Sequence, residues 1–216
     1  TRNLIEHFHV NSKKAHTIFN PYNIEAIRKA SKEAPEVDLP SNFIVRAGRL
    51  TAAKNFKQLI NAYLSSTETA SLCILGEGEQ REELNRYIKD RRAEKRIILL
   101  GYAKNPFTIF SRAKYYISAS TNEGFPNALL EAMTVGLPVI MTNCPSGPAE
   151  ILEGDSNFKS DKCHLGKFGV LVPLDNELQL TVAINRMQVD EIRADYSARS
   201  IMRSRDFSID KVSAEY

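Results

Sequence analysis

Long apolar runs are missing from this sequence of 216 residues. Even the longest, such as Ile97-Ile98-Leu99-Leu100, falls far short of the roughly 20 residues that a membrane-spanning helix needs. The first residues show neither a secretory signal nor a transit peptide. No initiating Met is present either, and we interpret the chain as a domain excised from a longer protein.

Cysteine is scarce, with Cys73, Cys144 and Cys163 following no repeating spacing. This odd, sparse count argues against a disulfide framework and favours the reducing cytoplasm. The adjacent pair Cys163-His164 suggests metal ligands, but no second pair lies at a suitable distance. We expect structural or surface roles for these residues and for the remaining histidines, which are His7, His9 and His16.

Net charge is also low, at +3. A nucleic-acid-binding chain would carry a stronger and more clustered excess, so we expect no nucleic acid partner. The one dense run of charges, residues 89–96, mixes both signs. Such a run is typical of a solvated helix face; contact with a membrane surface or a partner protein is the alternative.

What the sequence does contain is a regular alternation of short apolar runs and longer helical patterns. The runs are Phe43–Val45, Leu72–Leu75, Ile97–Leu100, Tyr115–Ile117, Pro138–Met141 and Gly169–Val172. Continuous apolar runs this short are typical of strands buried on both faces. The later helical patterns cover Ala128–Val135, Pro148–Leu152, Leu178–Met187 and Ile192–Arg205.

This alternation predicts an α/β fold, a doubly wound parallel sheet of the Rossmann-like type. Ligands bind such sheets beyond the carboxyl ends of the strands. The loops after Gly48, Gly76, Gly101, Ser118 and Thr142 should therefore share one crevice. Residues 1–40 carry no strand pattern beyond His16–Phe19.

The segment Glu123–Glu131 has the strongest chemical character. It follows a predicted strand and opens a helix near Pro126, whose free N–H groups can cradle a phosphate. Gly124 lets a ligand approach the backbone closely. Glu123 could accept hydrogen bonds from a polyol beside that phosphate, and Glu131, about two turns later, from a second diol such as a ribose. Alternatively, Glu123 only complements the helix dipole and Glu131 is a surface charge.

A second loop, Ala47–Asn55, follows the first strand and carries Arg49 and Lys54. Two cations facing the same crevice would stabilise a diphosphate as it departs. An ordinary charged loop is the alternative.

In this order, several motifs resemble the retaining GT-B glycosyltransferases of family 4. They are Gly48-Arg-Leu with Lys54-Asn, Gly76-Glu-Gly78, Glu123 with Glu131, Gly136-Leu-Pro-Val-Ile, Ser146–Ile151 and Gly169–Pro173. The resemblance implies that Arg49 and Lys54 contact the donor diphosphate, that Glu123 contacts the donor sugar, and that Glu131 contacts the ribose. Glu123, Arg49 and Lys54 would be the catalytic set. By the same resemblance, Gly124, Phe125, Asn127 and Ala128 supply close contacts, and Gly76, Gly78 and Tyr102 border the base.

The resemblance also implies a reaction and an organisation. A hexosyl group would pass from a UDP-linked donor to a hydroxyl acceptor with retention, in bacterial surface polysaccharide or glycan biosynthesis, without a cofactor or metal. Residues 1–20 would end a first domain, 21–190 would bind the nucleotide sugar, and 191–216 would form a helical segment. The rest of that first domain, which this sequence lacks, would bind an acceptor glycan or lipid-linked sugar. We therefore expect this chain to be inactive alone. The location would be cytoplasmic, with peripheral contact at the inner face of the membrane left open for the whole protein.

Three other functions are conceivable for this pattern of motifs. A nicotinamide-binding motif at Gly76-Glu77-Gly78 lacks its third glycine, which is replaced by Arg81, so an oxidoreductase is disfavoured. A sugar-nucleotide epimerase of GT-B architecture and a non-catalytic sugar-nucleotide-binding module stay as alternatives.

Overall fold

The computed structural model describes Asn11 and residues 19–214. The strands are β1 (Phe43–Ala47), β2 (Ser71–Leu75), β3 (Ile97–Gly101), β4 (Tyr116–Ser118), β5 (Val139–Thr142), β6 (His164–Leu165) and β7 (Val170–Val172). The helices are α1 (Ile24–Ala30), α2 (Phe56–Ser65), α3 (Arg81–Asp90), α4 (Phe107–Phe110), α5 (Asn127–Thr134), α6 (Pro148–Leu152), α7 (Glu177–Arg186), α8 (Asp190–Ser204) and α9 (Ile209–Ser213). Short 3-10 helices cover Ala52–Lys54 and Arg205–Phe207.

One sheet contains all of these strands, in the order β3-β2-β1-β4-β5-β7-β6. Every pair is parallel except β6 with β7. The chain runs outward from β1 to β3 and then returns to place β4 on the other side of β1. The predicted doubly wound, Rossmann-like sheet is confirmed, and its topological switch point lies between β1 and β4.

Alternating side chains on each central strand enter two separate cores. Ile44 faces the layer of α2, α3 and α7, whereas its neighbour Val45 faces the layer of α4, α5 and α6. Leu72 and Cys73 divide in the same way. Because both faces are covered, the sequence reads as continuous apolar runs rather than as an alternation.

The edge strand β3 departs from this rule. Its three middle residues are only partly buried, so the prediction that every run is buried on both faces is wrong here. A strand at the edge of a sheet has a neighbour on one side only, and the layers covering the sheet thin out there.

The first and last described segments pack together. Tyr22 N–H donates to Phe207 O at 2.9 Å, and Ile209 N–H donates to Tyr22 O at 3.1 Å. The boundaries predicted at residues 20 and 190 stay predictions, and His16–Ile18 lies outside the described residues. Within the described part of the chain, none of the helices combines the length and apolar character that crossing a bilayer requires.

Candidate functional site

The loops after β1 and β4 face each other across the switch point. The backbone N–H of Thr121 donates to Ala53 O at 2.9 Å, which joins the second loop to the 3-10 helix of the first. Asn55 ends that 3-10 helix with φ 49°, a left-handed conformation that Asn tolerates better than most residues. The turn at Asn55 starts α2 and leaves Lys54 at the crevice.

Lys54 and Glu123 form an ion pair inside this crevice. Lys54 Nζ lies 2.6 Å from Glu123 Oε2, and the side chains are 21% and 10% exposed, respectively. The structure thus brings together two of the residues predicted to act on the donor. A pair this short and this little exposed is a charge-assisted hydrogen bond rather than a loose surface contact.

Arg49 lies in the same loop, one residue beyond Gly48, and is exposed. Among the described residues it has no ion-pair partner. The fold therefore places Arg49 at the rim of the crevice without joining it to Glu123. Its guanidinium is available to an anion.

The start of α5 lies where it is predicted, but its hydrogen bonds differ from the prediction. The helix begins at Asn127, directly after Pro126. The N–H of Asn127 already donates to Phe125 O at 2.9 Å, so the expectation of a free N–H at this position is wrong. The tight turn after Pro126 brings the two groups together. Fewer free backbone N–H groups are therefore available to bind a phosphate at the start of this helix than the sequence indicated.

The side chain of Asn127 faces the chain segment that precedes α1. Its Oδ1 accepts hydrogen bonds from Tyr22 Oη and, at 2.9 Å, from Asn20 Nδ2. The ring of Phe125 packs at 5.7 Å from the ring of Phe19 and at 6.1 Å from that of Phe207. These two side chains hold the segment before α1 and the 3-10 helix after α8 against the site. The sequence did not predict this packing.

Gly124 is the open position of this segment. It is exposed, and a Cβ built on it would meet no atom within 4 Å. Ala128, by contrast, is partly buried and packs against the core. Free space at Gly124 fits the predicted close approach of a ligand to the backbone.

Glu131 lies further along α5, partly buried. Burial raises the pKa of its carboxyl above the ordinary value of 4.5. Its charge also raises the pKa of Tyr22, after the larger effect of burial. The carboxylate is therefore held in a poorly solvated place, where hydrogen-bond donors from a ligand would stabilise it.

Gly76 and Gly78 let the loop after β2 pack closely against the loop after β1. A Cβ on Gly76, which has φ 135°, would lie 2.1 Å from Gly48 O, and a Cβ on Gly78 would lie 2.4 Å from Leu50 O. Backbone atoms cannot yield to such contacts, so both positions need glycine whether or not a ligand is bound. Their predicted contact with a base stays a prediction.

Tyr102 follows β3 and is 74% exposed. The preceding residue, Gly101, accepts a hydrogen bond from Gly76 N–H at 2.8 Å. Tyr102 thus lies beside the Gly76–Gly78 loop at the carboxyl edge of the sheet. An exposed ring at this edge is available for stacking.

Sequence reasoning missed Arg46. It lies on β1, directly after the apolar run Phe43–Val45, and is 1% exposed. Its Nη2 donates to Ser120 Oγ at 2.9 Å, and its Nη1 donates to Tyr116 Oη and Ala47 O. A charged residue inside a buried strand was the available signal.

Cys144 and the pair Cys163-His164 are structural. Burial, with a smaller effect of the Glu123 charge, raises the pKa of the Cys144 thiol to about 11, so this cysteine is a thiol rather than a nucleophile at neutral pH. His164 Nε2 lies 3.0 Å from Glu153 Oε2 and its ring packs on Phe158. Within residues 19–214 and Asn11, no cluster of three potential metal ligands occurs.

The sheet and its crevice define the Rossmann-like half of a GT-B protein. The structure of HepE from Anabaena in complex with UDP-glucose has the same fold, with a TM-score of 0.75 over 95% of this chain and 57% of that one, at 21% identity. A model of the family "Glycosyl transferases group 1" matches residues 14–190. The chain belongs to this family.

Two of the curated relatives are bacterial glycosyltransferases with named reactions. The chain is 30% identical over 213 residues to an N-acetylgalactosamine-N,N'-diacetylbacillosaminyl-diphospho-undecaprenol 4-alpha-N-acetylgalactosaminyltransferase of Campylobacter jejuni, covering 98% of this chain and 55% of the relative. It is 31% identical over 145 residues to the lipopolysaccharide 1,6-galactosyltransferase of Escherichia coli, covering 65% and 40%. The chain spans about half the length of the curated relatives it matches.

Proposed function

We propose that this chain is the donor-binding half of a retaining glycosyltransferase, which transfers a hexosyl group from a UDP-linked sugar to a hydroxyl acceptor. The observation that carries the proposal is the Lys54–Glu123 pair at the switch point, with Nζ and Oε2 2.6 Å apart. A cation and a carboxylate in contact there can meet a diphosphate and its attached sugar at the same time.

The two charges have complementary tasks in this proposal. Lys54, with the exposed Arg49, binds the diphosphate and stabilises its growing negative charge as the bond to the sugar breaks. Glu123 accepts hydrogen bonds from sugar hydroxyls and orients the anomeric carbon. The leaving diphosphate itself assists the incoming hydroxyl, so the mechanism uses no protein general base.

Glu131 and Tyr102 would hold the nucleoside. Glu131 is partly buried, and the pKa of its carboxyl is raised by burial. Two ribose hydroxyls would replace the solvation that this carboxylate lacks. The exposed ring of Tyr102 lies where a base can rest on it, beside the loop of Gly76 and Gly78.

The activities of the relatives support the class of donor and acceptor. The Campylobacter relative is an N-acetylgalactosaminyltransferase acting on a diphospho-undecaprenol-linked sugar, and the Escherichia relative is a lipopolysaccharide galactosyltransferase. HepE binds UDP-glucose. We infer a UDP-hexose or UDP-N-acetylhexosamine donor and an acceptor glycan or lipid-linked sugar, bound by the remainder of the protein at the cytoplasmic face of the membrane, without a metal ion.

A panel of sugar nucleotides tests the proposal. A UDP-sugar should raise the melting temperature of the chain, because a ligand that binds only the native state stabilises it. The whole protein should then release UDP only when an acceptor is added. If no sugar nucleotide stabilises the chain, donor binding is contradicted. Binding followed by epimerisation of the sugar would support an epimerase instead. Binding without transfer by the whole protein would support a non-catalytic module.

A further inference from the structure

Arg46 is a buried cation that forms no ion pair with an acidic side chain among the described residues. It lies on β1 and is 1% exposed. Its hydrogen bonds go to neutral oxygens, namely those of Ser120, Tyr116 and Ala47. Its Nε has no partner within the described part of the chain. A guanidinium stays protonated in proteins, so the positive charge is permanent.

This guanidinium lies directly beneath the crevice. A Cβ built on Gly48 would be 3.3 Å from both Nη1 and Nη2 of Arg46. Gly48 opens the loop that carries Arg49 and Lys54. The buried charge therefore lies against the backbone of the loop at which a diphosphate would bind.

Other buried polar groups hold the guanidinium in this position. Ser120 Oγ, which accepts from Nη2, lies 3.1 Å from Ser118 Oγ, and Thr142 Oγ1 donates to the Ser120 backbone O. Ser118, Ser120 and Thr142 are 0% exposed. The network joins the carboxyl ends of β1, β4 and β5, on both sides of the switch point.

A buried charge without an ion-pair partner is costly in free energy, whereas an apolar residue of similar size avoids that cost. The hydrogen bonds and the rings of Phe56 and Tyr116, with centroids 5.5 Å and 5.7 Å from Cζ, offset part of this cost, and a bound anion would offset more. We propose that Arg46 is a positioning residue for the donor: its fixed charge attracts and orients the diphosphate through the Gly48 backbone, and the bound diphosphate balances it.

The inference rests on the proposed function, because it needs a nucleoside diphosphate in the crevice. It extends the site beyond the solvent-exposed cations, since Arg46 touches neither the solvent nor the donor. It also gives a role to the hydrogen bond from Arg46 to Ser120, which lies in the loop that carries Glu123.

Calorimetry with UDP and uridine separates charge from structure. Arg46→Met should lower the affinity for UDP about tenfold and leave the affinity for uridine unchanged. Arg46→Lys, which keeps the charge, should retain most of the UDP affinity. Without ligand, the melting temperature of Arg46→Met should equal or exceed that of the unaltered chain. Arg186→Met removes a charge from the exposed last turn of α7 and should change none of these values.

Several results would overturn the inference. Equal UDP affinity in Arg46→Met and the unaltered chain would contradict the role of Arg46. It would not contradict the proposed function. Parallel loss of UDP and uridine binding with a lower melting temperature would show a structural role instead. If Arg46→Met does not fold, Arg46→Gln replaces it, and retained UDP affinity there is equally contrary. If the unaltered chain binds neither UDP nor inorganic pyrophosphate, both proposals fail.

Discussion

Lys54 Nζ lies 2.6 Å from Glu123 Oε2, although 69 positions separate the two residues in the chain. Their contact follows from strand order, because β1 and β4 are neighbours in the sheet and each residue is in the loop that leaves its strand. In this structure each side chain is the other's partner. We expect an arriving diphosphate to share Lys54 and to leave Glu123 free for sugar hydroxyls.

Lys54→Met should weaken UDP binding roughly 10- to 100-fold, since a hydrogen bond to a charged group contributes about 1.5–3 kcal/mol. Titration calorimetry measures the effect. Lys57→Met is the matched control, because Lys57 pairs with Glu83 on the adjacent helix and is 45% exposed. Similar losses in both variants would mean that general charge, rather than the crevice, binds the nucleotide.

Glu123→Gln should reduce kcat/KM of the whole protein at least about 100-fold, because an amide replaces the carboxylate that orients the sugar. Affinity for UDP, which lacks the sugar, should stay equal or rise, since Lys54 loses its partner. Steady-state kinetics and calorimetry give the two values. Glu191→Gln, an exposed acid at the start of α8, is the control. Near-normal turnover by Glu123→Gln would refute its role.

Protonation of the Glu131 carboxyl makes the free energy of unfolding depend on pH. Because burial raises the pKa of its carboxyl in the folded state, the native protein binds the proton more tightly than the unfolded chain does. This contribution to stability is complete below the ordinary pKa of 4.5 and is lost as pH rises through the higher folded value. Glu131→Gln should remove that slope and raise the melting temperature at pH 7 by a few degrees, at about 2–4 °C per kcal/mol. An unchanged slope would contradict the assignment.

The same variant tests the ribose contact. Glu131→Gln should lower the affinity for UDP while changing the affinity for deoxy-UDP less, because the missing hydroxyl already removes part of the contact. Competition binding with 2′-deoxy- and 3′-deoxy-UDP measures this difference. Equal losses for UDP and for both deoxy analogues would place Glu131 away from the ribose.

Asn127→Ala should destabilise the domain by about 1–2 kcal/mol, which corresponds to roughly 2–8 °C in melting temperature. The reason is that Tyr22 Oη and Asn20 Nδ2 both donate to Asn127 Oδ1. A double-mutant cycle with Tyr22→Phe isolates the hydrogen bond between the two side chains. Additive losses would show that the contact does not couple the preceding segment to α5.

The sheet could be predicted from the sequence because it depends on local signals. Six apolar runs became β1–β5 and β7, with ends shifted by two residues at most. The two-residue strand β6 was missed, since His164-Leu165 is too short to form a pattern. The four-residue helix α4 was missed for the same reason.

The site was only partly predictable. Lys54 and Glu123 were placed in one crevice by the topology of parallel sheets, without knowledge of their contact. The packing role of Gly76 and the engagement of Asn127 depend on distant backbone and on Tyr22, which no local pattern encodes. Arg46 was missed because it directly follows the apolar run Phe43–Val45, and the run does not indicate that the neighbouring strands bury the arginine as well.

A crystal structure of the chain grown with UDP tests the central claim most directly. The account predicts the diphosphate between the loops that follow β1 and β4, with Lys54 Nζ within hydrogen-bonding distance of a phosphate oxygen and the ribose hydroxyls near Glu131. UDP bound at another edge of the sheet, with the Lys54–Glu123 pair closed and the crevice occupied by water alone, would contradict it.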